Sequence, residues 1–203
     1  MDGINDSRRD FLKASVAVGG GLIVGFHVPA AGQFAQSGPA TGQVRMNTFI
    51  RIAPDNTVTV MVGQSEMGQG VLTSIPMLVA EELEVDWSQI RVEQGLNDPA
   101  FVNPRWAGFK AKGGFQATTG SSAIRNVGTV VRPAAGAARM MLVDAAAQTW
   151  SVPVDACYAQ SGRVIHRDSG RTLSYGELAT KAAALPVPKD VPLKKPADFK
   201  LLG

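Results

Sequence analysis

Two glycine-punctuated segments hold the residues best suited to chemistry. The first, Glu66-Met67-Gly68-Gln69-Gly70, follows a β-branched run and precedes a helical period. Glycine lets backbone approach a ligand closely, and the first amides of a helix lack internal partners and so receive anions. Gln69 adds an amide that donates and accepts together. The plainer alternative is that Gly68 and Gly70 only shape a turn. The second segment is Gly113-Gly114-Phe115-Gln116-Ala117-Thr118-Thr119-Gly120-Ser121-Ser122. Thr118, Thr119, Ser121 and Ser122 bring hydroxyls to another helix start. Its alternative is an N-capping cluster, with Ser121 or Ser122 as the cap. Two such loops so close in sequence favour a bound anion. If they share it, the helices starting near Val71 and Ser121 point their N-termini at one cavity, and Gln69 faces that cavity.

Other chemistry is poorly provided for. The single cysteine, Cys157, forms no internal disulfide and no Cys-x-x-Cys pair for zinc or an iron–sulfur cluster. It reads as buried and inert. Of the two histidines, His27 falls in the N-terminal leader and His166 follows a turn, where exposure is expected. No metal ligand and no catalytic residue is therefore assigned. Glu81 and Glu82 read as a solvated or capping face; for Arg125 and Arg139 a phosphate contact is the alternative to the preferred reading, surface ion pairs. The net charge of +3 is spread out and aromatics make up 6%, without basic–aromatic interleaving. Nucleic-acid binding is not expected.

The elements that must position the two loops are legible from pattern. Residues 1–35 read as an export leader and linker. Ser7-Arg8-Arg9-Asp10-Phe11-Leu12-Lys13 precedes an apolar, glycine-rich stretch and then Pro29-Ala30-Ala31. That stretch is short for a spanning helix, and the arginine pair resembles a twin-arginine signal for the periplasm. Residues 36–185 read as one partial domain. Strands are expected at Thr48–Ile52 and Thr57–Val62, joined by Pro54-Asp55-Asn56. A helix follows over Val71–Val85, with Pro76 kinking it or shifting its start, and then a strand at Ile90–Glu93. After an aperiodic stretch, an alanine-rich helix runs from Arg132 to Trp150. A hairpin turns at Gln160-Ser161-Gly162, and Ser174 with Glu177 caps a last helix ending near Leu185. The class is α+β, with a short mixed sheet and packed helices. Residues 186–203, rich in proline, read as an extended connector to a further domain.

Taken together, these segments resemble the molybdopterin-binding large subunits of the xanthine dehydrogenase and aldehyde oxidase superfamily. The similarity is strongest to the branch of the isoquinoline 1-oxidoreductase large chain (its beta subunit) and membrane-associated aldehyde dehydrogenase. It is carried by Phe49-Ile50-Arg51-Ile52-Ala53-Pro54-Asp55, by Gly63 to Glu82, by Gly113 to Arg125, by Arg132 to Trp150 and by Phe199 to Gly203. The resemblance implies a molybdenum–molybdopterin cytosine dinucleotide cofactor. Gly68, Gln69 and Gly70 would contact it, and Thr118, Thr119, Gly120, Ser121 and Ser122 would surround its phosphates. It further implies hydroxylation of an aldehyde or N-heterocycle with oxygen from water. Electrons would leave through iron–sulfur clusters on a small 2Fe-2S subunit, with a cytochrome c subunit as an additional candidate partner. Family large subunits are several times longer, and their general-base glutamate has no counterpart here. The chain therefore reads as an N-terminal fragment, inactive alone and joined in function to the remainder of the large subunit. A second reading is a non-catalytic periplasmic module that binds an anion or nucleotide.

Overall fold

The computed structural model describes residues 22–24, 49–95, 98–107 and 115–202. Arg8 and Arg9, and with them the twin-arginine reading, lie outside the described residues, as do Gly113 and Gly114. The first sheet has strand order β1-β2-β3-β4, with β1 at Leu22–Val24, β2 at Ile50–Ile52, β3 at Val58–Val62 and β4 at Ile90–Gln94. The stretch read as a leader thus supplies the backbone of β1, which pairs antiparallel with β2 from Leu22 against Ile52. β2 and β3 form the expected hairpin. Its turn places Asn56 at φ 70°, and Thr57 N–H donates to Asp55. β3 and β4 run parallel, from Val58 against Ile90 to Val62 against Gln94. The sheet is therefore mixed, because a helix must carry the chain back between two parallel strands.

That helix, α1, runs from Val71 to Leu83, and Pro76 lies inside it. It starts at Val71 as expected, so Pro76 has not shifted its beginning. The long helix α2, Gly128–Trp150, buries Ala134, Ala135, Ala138, Leu142, Ala145 and Ala146. Small side chains let α2 approach α1 closely. It begins earlier than Arg132 because Val131 and Gly128 are buried and continue the same face. The second sheet is antiparallel, in order β5-β6-β7: Cys157–Gln160, Arg163–His166 and Thr172–Ser174. Ser161 and Gly162, both at positive φ, close its first hairpin. The last helix, α3, Tyr175–Ala183, carries the expected capping box between Ser174 and Glu177. Tyr175 is fully buried and its hydroxyl donates to Leu83 O at 2.7 Å, which ties α3 to the end of α1.

Two expectations are corrected here. His166 is buried, because β6 alternates and places Val164 and His166 on the covered face. Its ring lies beside Trp150, and Nδ1 is 2.7 Å from Ser169 Oγ. Glu81 and Glu82 are not a solvated face. Both are buried, and they hold residues 194–202 against the domain. Glu81 accepts from the backbone N–H of Lys200, Leu201 and Leu202 and from the Lys194 ammonium. Glu82 pairs with Arg132 at 2.6 Å and accepts from Lys194 N–H. Cys157 is buried as expected, and burial pushes its thiol up.

Candidate functional site

The site grows from the carboxyl ends of β3 and β4. Gly95 N–H donates to Val62 O at 2.7 Å, so the two chains leave the sheet side by side. Gln116 bridges them: its Nε2 donates to Gly63 O at 2.5 Å and lies 3.3 Å from Gly95 O. Gln94 Nε2 donates to Val62 O at 2.8 Å and sits 3.3 Å from Gln64 O. Between them opens a cavity of about 460 Å³ lined by Gly63, Ser65, Glu66, Gln94, Gly95 and Gln116. Glycine is required at its floor. A Cβ on Gly63 would lie 2.5 Å from Phe101 Cβ, and one on Gly95 would lie 3.1 Å from Gly63 Cα.

The first glycine loop is organised by Glu66. Its carboxylate accepts from Gly68 N–H, Gly70 N–H and Leu72 N–H at 2.8, 2.9 and 3.0 Å. The Leu72 N–H, then that of Gly70 and more weakly that of Gly68, hold the Glu66 carboxyl below the usual range. The anion that the start of α1 attracts is thus supplied by the chain itself, which corrects the expectation of free amides there. Gln69 is corrected too. Its Nε2 donates to Ser65 O at 2.8 Å and its Oε1 accepts from Met67 N–H at 2.6 Å. Both ends of the amide brace their own loop, so Gln69 does not face the cavity as expected.

The second loop hangs on Asn103, which is fully buried. Asn103 Nδ2 donates to Ala117 O and to Ser122 Oγ, and its Oδ1 accepts from Arg105 N–H. Ser122 is buried and its hydroxyl donates to Thr119 O at 2.6 Å. A π-turn, Ala123–Val127, precedes α2, and neither Ser121 nor Ser122 caps it through a side chain. The N-capping alternative is therefore not what the hydroxyls do. Thr119, Gly120 and Ser121 are exposed, with Gly120 and Ser121 at φ 62° and 50°. Thr119 and Ser121 keep side-chain hydroxyls with no partner among the described residues.

The two loops meet. Ser65 N–H donates to Thr118 Oγ1 at 2.8 Å, a contact spanning 53 residues of sequence. Gly68, Gln69, Gly70, Thr118, Thr119, Gly120, Ser121 and Ser122 flank the cavity and do not line it. The residues that do line it include Gln94 and Gln116, which sequence reasoning does not single out. Gln116 sits within the second loop without a pattern to mark it, and Gln94 ends an ordinary strand. Asn103 before Pro104 carries a turn signal only. A larger cavity, about 530 Å³, opens between Met140, Tyr158 and Pro186 and contains neither loop. Among the described residues no cluster of His, Cys, Asp and Glu could hold a metal ion.

With this geometry in place, the relatives are informative. The chain is 38% identical over 188 residues to the beta subunit of isoquinoline 1-oxidoreductase from Brevundimonas diminuta, covering 92% of this chain and 23% of that protein. It is 29% identical over 206 residues to a membrane-bound aldehyde dehydrogenase (pyrroloquinoline-quinone) of Gluconacetobacter polyoxogenes, covering 97% and 25%. A subunit of the nicotinate dehydrogenase of Pseudomonas putida is 30% identical over 184 residues, covering 90% and 14%. The chain thus spans a quarter or less of the length of these relatives. The molybdopterin cofactor-binding domain family matches residues 3–201, which include both glycine loops and the strands that place them. The chain belongs to the molybdopterin cofactor-binding domain family.

Proposed function

We propose that this chain is part of the large subunit of a periplasmic molybdenum hydroxylase that oxidises an aldehyde or an N-heterocycle, with water as oxygen source. The observation that carries this reading is the hydrogen bond from Ser65 to Thr118, which joins two glycine loops into one site. The cofactor proposed is molybdenum–molybdopterin cytosine dinucleotide. The residues present fit such a group, because Gln116 Oε1 is buried without a partner beside the cavity. A buried acceptor in that state favours a ligand that donates to it. Thr119 and Ser121 hydroxyls, near the start of the π-turn, suit the phosphates. Bound there, the cofactor supplies the redox centre for hydroxylation.

This chain's residues bind and orient. Gly63 and Gly95 let Phe101 pack beneath the strand ends and so shape the cavity floor, and Glu66 and Gln69 stiffen one wall. Glu66 is not offered as a base, since three N–H groups occupy its oxygens and hold its carboxyl below the usual range, which makes it a poor proton acceptor. The proposed partners are a small 2Fe-2S subunit, a cytochrome c subunit and the remainder of the large subunit. The test is chemical analysis of the protein recovered from the periplasm of its native host with whatever co-purifies. Molybdenum together with cytidine monophosphate released on hydrolysis is the expected result. A purine nucleotide would contradict the cofactor form, absence of pterin and metal would contradict the function, and cytoplasmic retention would contradict the location.

A further inference from the structure

The polar groups at the cavity between the strand ends are unequal in kind. Gln116 and Gln94 both direct their NH₂ groups to backbone carbonyls. The Glu66 carboxylate is adjacent and anionic. Apart from the Ser65 hydroxyl, what the two amides have left to give is acceptors, chiefly Gln116 Oε1, which is buried and unpartnered. Amide acceptors beside a carboxylate disfavour phosphate and favour a ring edge bearing N–H or amino donors. The unpartnered hydroxyls of Thr119 and Ser121 lie outside this cavity and donate readily to phosphate oxygens.

We infer that Gln116 is a ligand-binding residue whose Oε1 accepts a hydrogen bond from an amino-bearing heterocyclic edge of the cofactor, while its Nε2 locks the ends of β3 and β4. The site is then polar along its length, with the ring edge at Gln116 and the phosphates at Thr119 and Ser121. This inference rests on the cofactor reading above. Without a ligand the buried oxygen loses its hydrogen bond to water and gains nothing in return. With a donor in place it is satisfied, so the Gln116 carboxamide serves loop and ligand together.

The test compares molybdenum and pterin content of the assembled protein carrying Gln116→Lys, Gln116→Glu or Gln116→Met with the unaltered protein. Lysine keeps a donor for the two glycine carbonyls and removes the acceptor. Glutamate keeps acceptors and removes the donor, and methionine removes both. Loss of one buried hydrogen bond to ligand predicts a roughly tenfold fall in cofactor affinity. Gln116→Lys is therefore expected to fall with Gln116→Met, and Gln116→Glu to retain more cofactor than Gln116→Met. Full content in Gln116→Lys, or Gln116→Glu no better than Gln116→Met, would overturn the inference. Absence of cofactor from the unaltered protein would instead overturn the reading beneath it. Reconstitution with molybdopterin lacking the nucleotide identifies the donor: an effect that persists assigns the pterin ring, and one that vanishes assigns the cytosine.

Discussion

Glu82→Ala is expected to lower the unfolding free energy by about 3–5 kcal/mol, the range for breaking one side of a buried ion pair. Glu82 is fully buried, and Arg132 reaches its Oε1 through both Nε and Nη2, at 2.9 and 2.6 Å. Removing the carboxylate leaves a largely covered guanidinium against Phe199 and frees Lys194 N–H. Glu82→Gln keeps the shape and is expected to lose less. The measurement is urea denaturation, and an unchanged midpoint in Glu82→Ala would contradict the account. The same strap gives a pH window. For Glu81, burial pushes the pKa up, but the Lys194 ammonium and the N–H groups of residues 200–202 outweigh it and hold it low. Glu84 is likewise held low: burial raises it, and Lys200 and Lys194 more than offset that. Lys194 is held high, since its carboxylate partners outweigh its desolvation. The carboxylate contribution is present above the unfolded value of about 4.3 and lost as pH falls through the depressed folded value. The lysine contribution is present below about 10.4 and lost as pH rises through the raised folded value. Proteolysis of residues 186–202 should therefore accelerate outside that window.

Asn103→Ala is the second large effect, expected to cost about 3 kcal/mol and to loosen the second glycine loop. Three groups lose their partner together: Ala117 O, Ser122 Oγ and Arg105 N–H. Each buried unsatisfied group costs about 1–3 kcal/mol, and partial access to water lowers the sum. Amide hydrogen exchange across residues 115–122 should rise while that of β5 and β6 stays unchanged. Unaltered exchange in the loop would show that Asn103 does not hold it.

What sequence reveals and what it hides divide by range. The hairpin of β2 and β3, the Ser174–Glu177 capping box and the alanine face of α2 depend on neighbours within a few residues, so their patterns are complete locally. Glu81 and Glu82 resemble a solvated helix face in sequence because their partners lie far off. Arg132 is 50 residues away, and Lys194 N–H is 112 from Glu82. For His166 the adjacent turn suggests exposure, whereas the alternation of β6 decides its burial. At the site, the glycine loops are visible by type and spacing. The direction of each polar group is not. Glu66 filling the helix start, Gln69 bracing its own loop and Gln116 joining two strand ends are all decided by where a side chain turns after the backbone is set.

The most direct test of the central claim, one shared cofactor site at the joined loops, is the molybdenum content of the assembled protein carrying Thr119→Val and Ser121→Gly. Both residues are exposed, and glycine at Ser121 relieves a positive φ, so the fold is retained. Valine preserves the shape of Thr119 and removes only its hydroxyl. The account expects molybdenum and pterin affinity to fall by more than about tenfold, as two charge-assisted hydrogen bonds to phosphate are lost, with thermal stability of the cofactor-free protein unchanged. Full molybdenum content in this double variant would contradict it.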